Sequence, residues 1–225
     1  MDNLIRVPLK VNMINMIGTI GTIIDLNELF KILPLDIHII GFTLKEKEKG
    51  DVNKKKRTSS FYNCMTIYLK LDRVLKVKLF CSGAVHIPGC LFLREGTEIL
   101  KIIYQKLKAI DFRKVGKREL LRPEIESQKT MYTTQYQLNI DYINRLTLAK
   151  IIRDKHKTYC IYRPEKYPGL KIYYDTKTEY RPKVSIIVHR SGRASINGAN
   201  TKEKIKQAYH FINQIILEHL DQIKS

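Results

Sequence analysis

Two stretches of the sequence, Cys81-Ser82-Gly83 through Gly89-Cys90 and Arg190-Ser191-Gly192 through Gly198-Ala199, share one pattern: Ser-Gly, five residues, then Gly and a small residue. The second stretch lies 109 residues after the first. Each follows an alternating strand and precedes an amphipathic segment. The same order of elements around both glycine pairs indicates that one strand–turn–strand–helix unit occurs twice.

The strands that lead into the two Ser-Gly turns have one apolar face and one mixed face. The apolar face consists of Leu75, Val77, Leu79 and Cys81 in the first copy, and of Val184, Ile186 and Val188 in the second. The other face carries Val74, Lys76, Lys78 and Phe80, and then Lys183, Ser185, Ile187 and His189. Because only one face is apolar, we expect the following helix to cover that face and leave the other open.

The composition indicates a polyanionic partner. The chain has 225 residues, with 41 Lys and Arg against 22 Asp and Glu, a formal charge of +19. A strong basic excess is typical of proteins that bind nucleic acid. The sequence shows no apolar run of membrane-spanning length and no Cys-x-x-Cys pair, so we expect a soluble intracellular protein with free thiols and no membrane partner.

Motifs for catalysis or metal binding are absent from the sequence. It contains no phosphate-binding loop, no nucleophile with a base and no His-x-x-x-His spacing, so we predict no enzymatic activity, no cofactor and no metal site. Asp154 and His156 are the one pair that resembles an acid–base couple. They fall at the end of a predicted helix, where a cap or a solvated turn is the better interpretation.

The remaining pattern predicts two repeats, 1–110 and 130–225, joined by a charged connection, 111–129. Further predicted elements are a first strand from Val11 to Ile24, a helix capped by Asp25, a strand from Ile37 to Leu44, a strand from Phe61 to Leu69 and a helix from Arg94 to Ile110. The second repeat reads as strands Thr130 to Asn139, Thr158 to Tyr162 and Leu170 to Tyr174, with helices Tyr142 to Asp154 and Thr201 to His219. The basic segment from Lys45 to Arg57 is interpreted as a solvated loop, with contact to phosphates as the alternative.

Several motifs resemble those of the TATA-box-binding protein family. The segment from Tyr162-Arg163-Pro164 to Tyr167-Pro168-Gly169-Leu170 is similar to the family's Y-E-P-E-L-F-P-G-L. Arg181-Pro182-Lys183-Val184 resembles K-P-K-I, and the Arg190 to Ala199 stretch resembles V-S-G-K through T-G-A. In the first half, Phe80-Cys81-Ser82-Gly83 is similar to F-S-S-G.

The resemblance implies an α+β fold: a pseudo-twofold saddle whose curved ten-stranded antiparallel sheet carries the helices on its convex face. It also implies a transcription initiation factor that binds double-stranded DNA in the minor groove and bends it, with an A·T-rich promoter and other general transcription factors or RNA polymerase subunits as partners. A saddle-shaped interaction scaffold with weak or non-specific DNA binding is the alternative. A third possibility is an accessory module like those of some glycosylases and nucleases. This possibility is weakened because no catalytic domain accompanies the two repeats. The Lys-, Ile-, Tyr- and Asn-rich composition suggests a large DNA virus, so the expected site of action is the nucleus or a cytoplasmic viral factory.

By position, the resemblance implies a set of residues that contact DNA. These are Asn15, Ile17, Thr19, Phe61, Lys78, Phe80, His86, Pro88, Gln135, Gln137, Tyr167, Ile187, His189, Arg193, Ser195 and Asn197. Asn12 or Met13 remain alternatives for the first-strand position. Phe80 and Phe61 match a pair of wedge phenylalanines, Tyr167 and His189 stand where the family has the second pair, and Arg193 replaces a lysine near phosphate.

The departures from the family pattern make the DNA-facing side more polar. Lys78 replaces a leucine, His86 and Ser195 replace valines, and Pro88 and Asn197 replace threonines. An apolar face suits A·T steps because their minor groove lacks the guanine amino group, so a strict TATA preference is not expected here. The polar Tyr167 and His189 pair predicts unequal kinks at the two ends, and His189 could make binding depend on pH.

Overall fold

The computed structural model describes residues 4–52, 63–110, 112–116, 124–125, 130–174 and 184–224. The strands are β1 (Ile5–Thr19), β2 (Ile39–Leu44), β3 (Lys47–Gly50), β4 (Cys64–Lys70), β5 (Val74–Phe80), β6 (Ala84–Cys90), β7 (Glu124–Ile125), β8 (Met131–Leu138), β9 (Cys160–Arg163), β10 (Tyr167–Tyr174), β11 (Val184–Val188) and β12 (Arg193–Ala199). The helices are α1 (Leu26–Ile32), α2 (Leu93–Lys108), α3 (Arg145–Asp154), α4 (Lys202–Glu218) and α5 (Leu220–Ile223), and a 3₁₀ turn spans Phe112–Lys114.

The chain divides into two compact units, which we call the first-repeat unit (residues 14–130) and the second-repeat unit (residues 1–13 and 131–225). In the first-repeat unit the strand order is β3-β2-β4-β5-β6-β1, and β7 pairs with the end of β1. In the second-repeat unit the order is β1-β8-β12-β11-β10-β9. Every pair with a defined register is antiparallel. Once β3 and β7 are set aside, β1-β6-β5-β4-β2 of the first-repeat unit matches β8-β12-β11-β10-β9 of the second strand for strand.

Strand β1 lies closer to the N-terminus than the sequence predicted. It begins at Ile5 rather than Val11 and ends at Thr19 rather than Ile24. Its early residues are fixed in the second-repeat unit, where the Asn139 N–H donates to the Leu4 carbonyl at 2.6 Å. The Arg6 guanidinium also donates to Asp141 Oδ1 at 2.7 Å. The prediction missed these residues because their partners lie more than 130 positions away in the sequence.

The glycines of the repeated motif have matching geometry in both units. Gly83 and Gly192 have φ angles of +82° and +77°, and Gly89 and Gly198 have +81° and +84°. A Cβ on Gly83 would lie 2.1 Å from the Thr22 carbonyl oxygen, and one on Gly192 would lie 2.4 Å from the Ile140 carbonyl oxygen. Only glycine fits such a turn without strain. Gly89 also lies at a register shift in the β1–β6 pair, and Gly198 at one in the β12–β8 pair. The predicted duplication is therefore confirmed.

One face of each sheet packs against helices. In the first-repeat unit, helix α2 comes so close that a Cβ on Gly96 would lie 2.2 Å from Met16 Sδ. In the second-repeat unit, the Tyr136 hydroxyl donates to Asn213 Oδ1 of α4 at 3.1 Å. Helix side chains such as Ile99, Ile103 and Ile212 are buried, each worth about 1.5–3 kcal/mol of transfer free energy. The predicted covered face is therefore confirmed, and its apolar strand residues are buried as expected.

Helix boundaries follow from local capping. Asp25 Oδ1 accepts from the backbone N–H groups of Asn27 and Glu28, which starts α1 as the sequence predicted. Asn144 caps α3 and Thr201 caps α4 in the same way. Helix α3 therefore begins at Arg145, three residues after the predicted start at Tyr142.

The prediction of a loop between Lys45 and Arg57 is wrong in its first part. Residues Lys47–Gly50 form the exposed edge strand β3, paired with β2. The hairpin turn is at Lys45, which has a φ angle of +54°, and Gly50, with a φ angle of +79°, ends β3 opposite Gly41. Residues 53–62 lie outside the described part of the chain. Within the described residues, β3 and β7 bring the strand number to twelve rather than the predicted ten.

Candidate nucleic-acid interface

The face opposite the helices, which we call the open face, carries one cross-strand row in the first-repeat unit. The register sets Thr66 beside Lys78, Lys78 beside His86, and His86 beside Ile17. All four side chains are half-buried. Since paired residues in antiparallel strands point to the same side, the predicted residues Ile17, Lys78 and His86 form a continuous band across β1, β5 and β6.

Aromatic side chains lie next to this row. The Phe80 and His86 rings are 4.5 Å apart between centroids, with an interplanar angle of 50°. Phe80 is half-buried and Pro88 is exposed, both on the open face. A partly accessible phenylalanine on a sheet face without helices is available to a ligand. Thr19 marks the end of β1, where its Oγ1 accepts the Gly21 N–H at 3.0 Å.

Asn15 is oriented by the register shift at Gly89. The Gly89 N–H donates to Asn15 Oδ1 at 3.2 Å, and the Gly89 carbonyl accepts from Arg73, which also binds Glu95. This network holds the Asn15 carbonyl toward the backbone. Its amide NH₂ is thereby left to donate on the open face.

The second-repeat unit has the equivalent row. Lys171 pairs with Ile187, Ile187 with Ser195, and Ser195 with Gln135. A second row sets Ser185 beside Asn197, and Asn197 Nδ2 donates to Ser195 Oγ at 3.2 Å. The predicted open-face residues Gln135, Ile187, Ser195 and Asn197 therefore lie together.

Gln137 differs from the other predicted residues. It pairs with the exposed Arg193, but its Nε2 donates to the Ser191 carbonyl at 2.6 Å and to the Leu138 carbonyl at 3.2 Å. The Gln137 amide is therefore occupied by Ser191 in the turn and by Leu138 at the end of β8. Gln137 holds the β11–β12 hairpin in place.

Tyr167, Ile187 and His189 cluster around Gly169 on the open face. The Tyr167 and His189 rings are 6.0 Å apart in an edge-on arrangement, and Tyr167 is 46% exposed. A Cβ on Gly169 would lie 2.6 Å from Tyr167 Cε1 and 2.7 Å from Ile187 Cγ2. The glycine is therefore required by space. Arg145 supports the segment from behind, since it donates to the Pro168 carbonyl and lies 5.2 Å from the Tyr162 ring centroid.

His189 has a lowered pKa. Partial burial is the main cause, and the positive charges of Arg193 and Arg145 add to it. The ordinary value is 6.5, so the imidazole is neutral at pH 7. It can act there as an uncharged ring beside Tyr167.

Acidic residues are almost confined to segments outside the strands. In the ten described strands other than β3 and β7 there is no Asp or Glu, and every charged side chain is Lys or Arg. These basic residues are Arg6, Lys10, Lys70, Lys76, Lys78, Arg163, Lys171 and Arg193. The helices contain acids such as Glu28, Glu95, Glu203 and Glu218, together with Lys and Arg residues. Such a distribution favours contact between the sheet and a polyanion.

Sequence reasoning missed three parts of this site. Lys171 lies in the same row as Ile187, and its alternation with the buried Leu170 and Ile172 could have revealed it. Thr66 could have been found in the same way. The steric role of Gly169 depends on neighbours from another strand, which the sequence does not show. Phe61, the predicted partner of Phe80, lies outside the described residues.

Comparisons with known proteins agree with this geometry. The family model "Transcription factor TFIID (or TATA-binding protein, TBP)" matches residues 135–219. The TATA-box-binding protein of Thermoplasma acidophilum is 27% identical over 143 residues, which are 63% of this chain and 68% of that protein. The TATA-box-binding protein of Acanthamoeba castellanii is 34% identical over 64 residues, 28% of this chain and 23% of that protein. The structure of Methanococcus jannaschii TBP superposes with a TM-score of 0.57 at 23% identity, covering 93% of this chain and 98% of that one.

The fold is thus the α+β fold of TATA-binding proteins, with a duplicated antiparallel sheet whose helices pack on one face. In fold, and over part of its sequence, the chain is similar to the TATA-box-binding proteins. These matches are to TATA-box-binding proteins, in agreement with the expectation that the chain is not an enzyme. Among the described helices, none is long and apolar enough to cross a membrane.

Proposed function

We propose that this protein binds double-stranded DNA in the minor groove through the open faces of its two repeat units, and bends that DNA at promoters as a transcription initiation factor. The observation that carries the proposal is the absence of acidic residues from the ten described strands named above, together with their eight basic side chains. Phosphates on both sides of a groove are attracted to such a sheet.

The aromatic clusters supply candidates for wedges. Minor-groove proteins insert apolar or aromatic side chains between base steps, and TATA-binding proteins are themselves the standard example of that mechanism. Phe80 and His189 occupy corresponding positions in the two repeats, before Ser82-Gly83 and Ser191-Gly192. In the first-repeat unit the inserting side chain is Phe80. In the second-repeat unit it is Tyr167, which lies beside the neutral imidazole of His189, so the kink at that end of the DNA is smaller.

Base contacts depend on hydrogen-bond donors, since the minor-groove edges of A·T pairs offer only acceptors. Asn15 presents its NH₂ because Gly89 holds its carbonyl. The side-chain amide of Gln137 already donates to two backbone carbonyls, so Gln137 supports the interface by holding the β11–β12 turn and does not donate to a base. A preference for A·T-rich duplexes follows, weakened by the polar Lys78 and His86 where the family has apolar residues.

A band-shift titration against salt tests this proposal. If half to all of the eight basic strand residues contact phosphates, the slope of log K against log [salt] is about −4 to −7. The titration is run with A·T-rich and G·C-rich duplexes of equal length, with the former bound more tightly. A flat salt dependence with equal, micromolar binding to both would overturn the proposal.

One observation favours a second function, a protein-interaction scaffold in a transcription complex. Leu91, Phe92 and Leu93 precede the buried face of α2 and are 57%, 58% and 47% exposed. At the corresponding place in the second repeat stand Asn200, Thr201 and Lys202, of which Thr201 caps α4. Consecutive exposed apolar residues are typical of protein contacts. The band-shift titration distinguishes the two functions, because a scaffold would bind DNA only weakly.

The protein would act where promoters are transcribed. For a cellular protein that place is the nucleus, and for a viral one it is a cytoplasmic viral factory. Other general transcription factors or RNA polymerase subunits are the partners that this role requires.

A further inference from the structure

His156, Glu218 and His219 come together in the second-repeat unit, away from the open face. Each side chain offers one ligand atom, and these three atoms lie within 4.8 Å of one another. His156 follows α3, whereas Glu218 ends α4 and His219 joins α4 to α5. The His156 and His219 ring centroids are 6.1 Å apart. The cluster unites two positions that are far apart in the sequence, which is why histidine spacing did not reveal it.

Two side chains of the cluster, His156 and Glu218, each have an atom placed to bind a ligand. Among the described residues, His156 Nε2 is buried and has no hydrogen-bond partner, an arrangement that costs free energy unless another group binds there. Gln214 Nε2 donates to Glu218 Oε1 at 2.8 Å, which fixes the carboxylate and leaves its second oxygen for another contact. Phe211 lies 6.3 Å from the His156 ring centroid and shelters one side.

We infer that His156, His219 and Glu218 form a binding site for a divalent transition metal, with Zn²⁺ as the ion that fits best. Two imidazole nitrogens and one carboxylate oxygen are a common zinc ligand set, and a water completes the tetrahedron. Zn–N and Zn–O bonds of about 2.1 Å place tetrahedral ligands about 3.4 Å apart. The present separations reach that value by side-chain rotation, since Glu218 is exposed and both histidines are half-buried.

The bound ion joins the turn after α3 to the junction of α4 and α5. Helices α3 and α5 already contact each other, so the metal reinforces an existing interface. Because its ligands come together only in the folded unit, the ion binds and stabilises the folded state. This role is independent of the proposed DNA binding.

The test uses ZnCl₂ and CoCl₂ with the full-length, tag-free protein under reducing conditions. Calorimetric titration with ZnCl₂ is expected to give one ion per chain. His156→Ala and His219→Ala each weaken binding by about tenfold or more, and Glu218→Gln does the same without touching a buried group. His210→Ala removes an exposed histidine from α4 and is the matched control, expected to bind as the wild type does.

Visible absorption of bound Co²⁺ gives a readout that a purely structural role would not change. Four-coordinate Co²⁺ absorbs strongly, and the band is expected in the wild type and the His210→Ala control but lost in Glu218→Gln. The wild-type melting temperature is also expected to rise with ZnCl₂, with no rise in Glu218→Gln. No saturable binding by the wild type, or equal binding by wild type and the His156→Ala/His219→Ala double variant, would overturn the inference.

Discussion

Substitution of Gly169 by alanine is expected to disturb the open face while leaving the core intact. The new Cβ would lie 2.6 Å from Tyr167 Cε1, 2.7 Å from Ile187 Cγ2 and 3.3 Å from His189 Cε1, so these side chains must move. Displacing two of them from their rotamers costs about 0.5–1.5 kcal/mol each, or about 1–3 kcal/mol together. Tyr167 is 46% exposed and can rotate into solvent. Most of that cost is therefore expected in DNA binding, where the tyrosine must return, and not in folding.

The expected result is an affinity lower by about 5- to 150-fold, with the urea midpoint almost unchanged. Gly96→Ala is the matched control, because its Cβ meets Met16 on the helix side. Overpacking there costs about 1–3 kcal/mol, offset by about 1 kcal/mol of helix propensity. Its effect should fall on stability and leave DNA affinity intact. If Gly169→Ala binds DNA like the wild type, the proposed role of the Tyr167 cluster is wrong.

Three further predictions concern single side chains. Phe80→Ala is expected to reduce the bend of a short duplex measured by end-to-end energy transfer, with little loss of stability because Phe80 is half-buried; an unchanged bend would remove Phe80 from its role as a wedge. Arg73→Ala leaves the buried Glu95 carboxylate without its cation and is expected to lower the unfolding free energy by about 1–3 kcal/mol, since Arg73 is itself partly exposed; a urea midpoint equal to the wild type would contradict this. Because the pKa of His189 is lowered, the contribution of this side chain to stability is complete above pH 6.5 and decreases as pH falls below that value. His189→Gln is expected to remove this part of the pH dependence of the unfolding free energy. The slope that is removed stays below about 1.4 kcal/mol per pH unit.

The sequence was sufficient to predict the repeat, its turns and the two faces of its strands. Gly83 and Gly192 could be recognised because their turns need a conformation that other residues rarely adopt. The alternation of Leu75, Val77 and Leu79 with Lys76 and Lys78 predicted the faces correctly, since burial in a strand has a period of two. These are local properties, which one sequence displays directly.

Features that depend on distant partners could not be predicted. The start of β1 at Ile5 depends on Asn139 and Asp141, and the space at Gly169 depends on Ile187 and His189. Strand β3 was missed because its side chains are charged and exposed, so that only pairing with β2 defines it. Gln137 shows the same limit, since its donors are occupied by Ser191 and Leu138.

The central claim is that the open faces of the sheets contact DNA and the helices do not. A charge reversal tests this directly: Lys78→Glu with Lys171→Glu on the open face, against Lys101→Glu with Lys206→Glu on exposed positions of α2 and α4. Both variants change the net charge equally, and urea midpoints confirm that each is folded. The open-face variant is predicted to lose about 100-fold or more in affinity for an A·T-rich duplex, and the helix variant less than about threefold. Equal losses in both, or no loss in the open-face variant, would contradict the account.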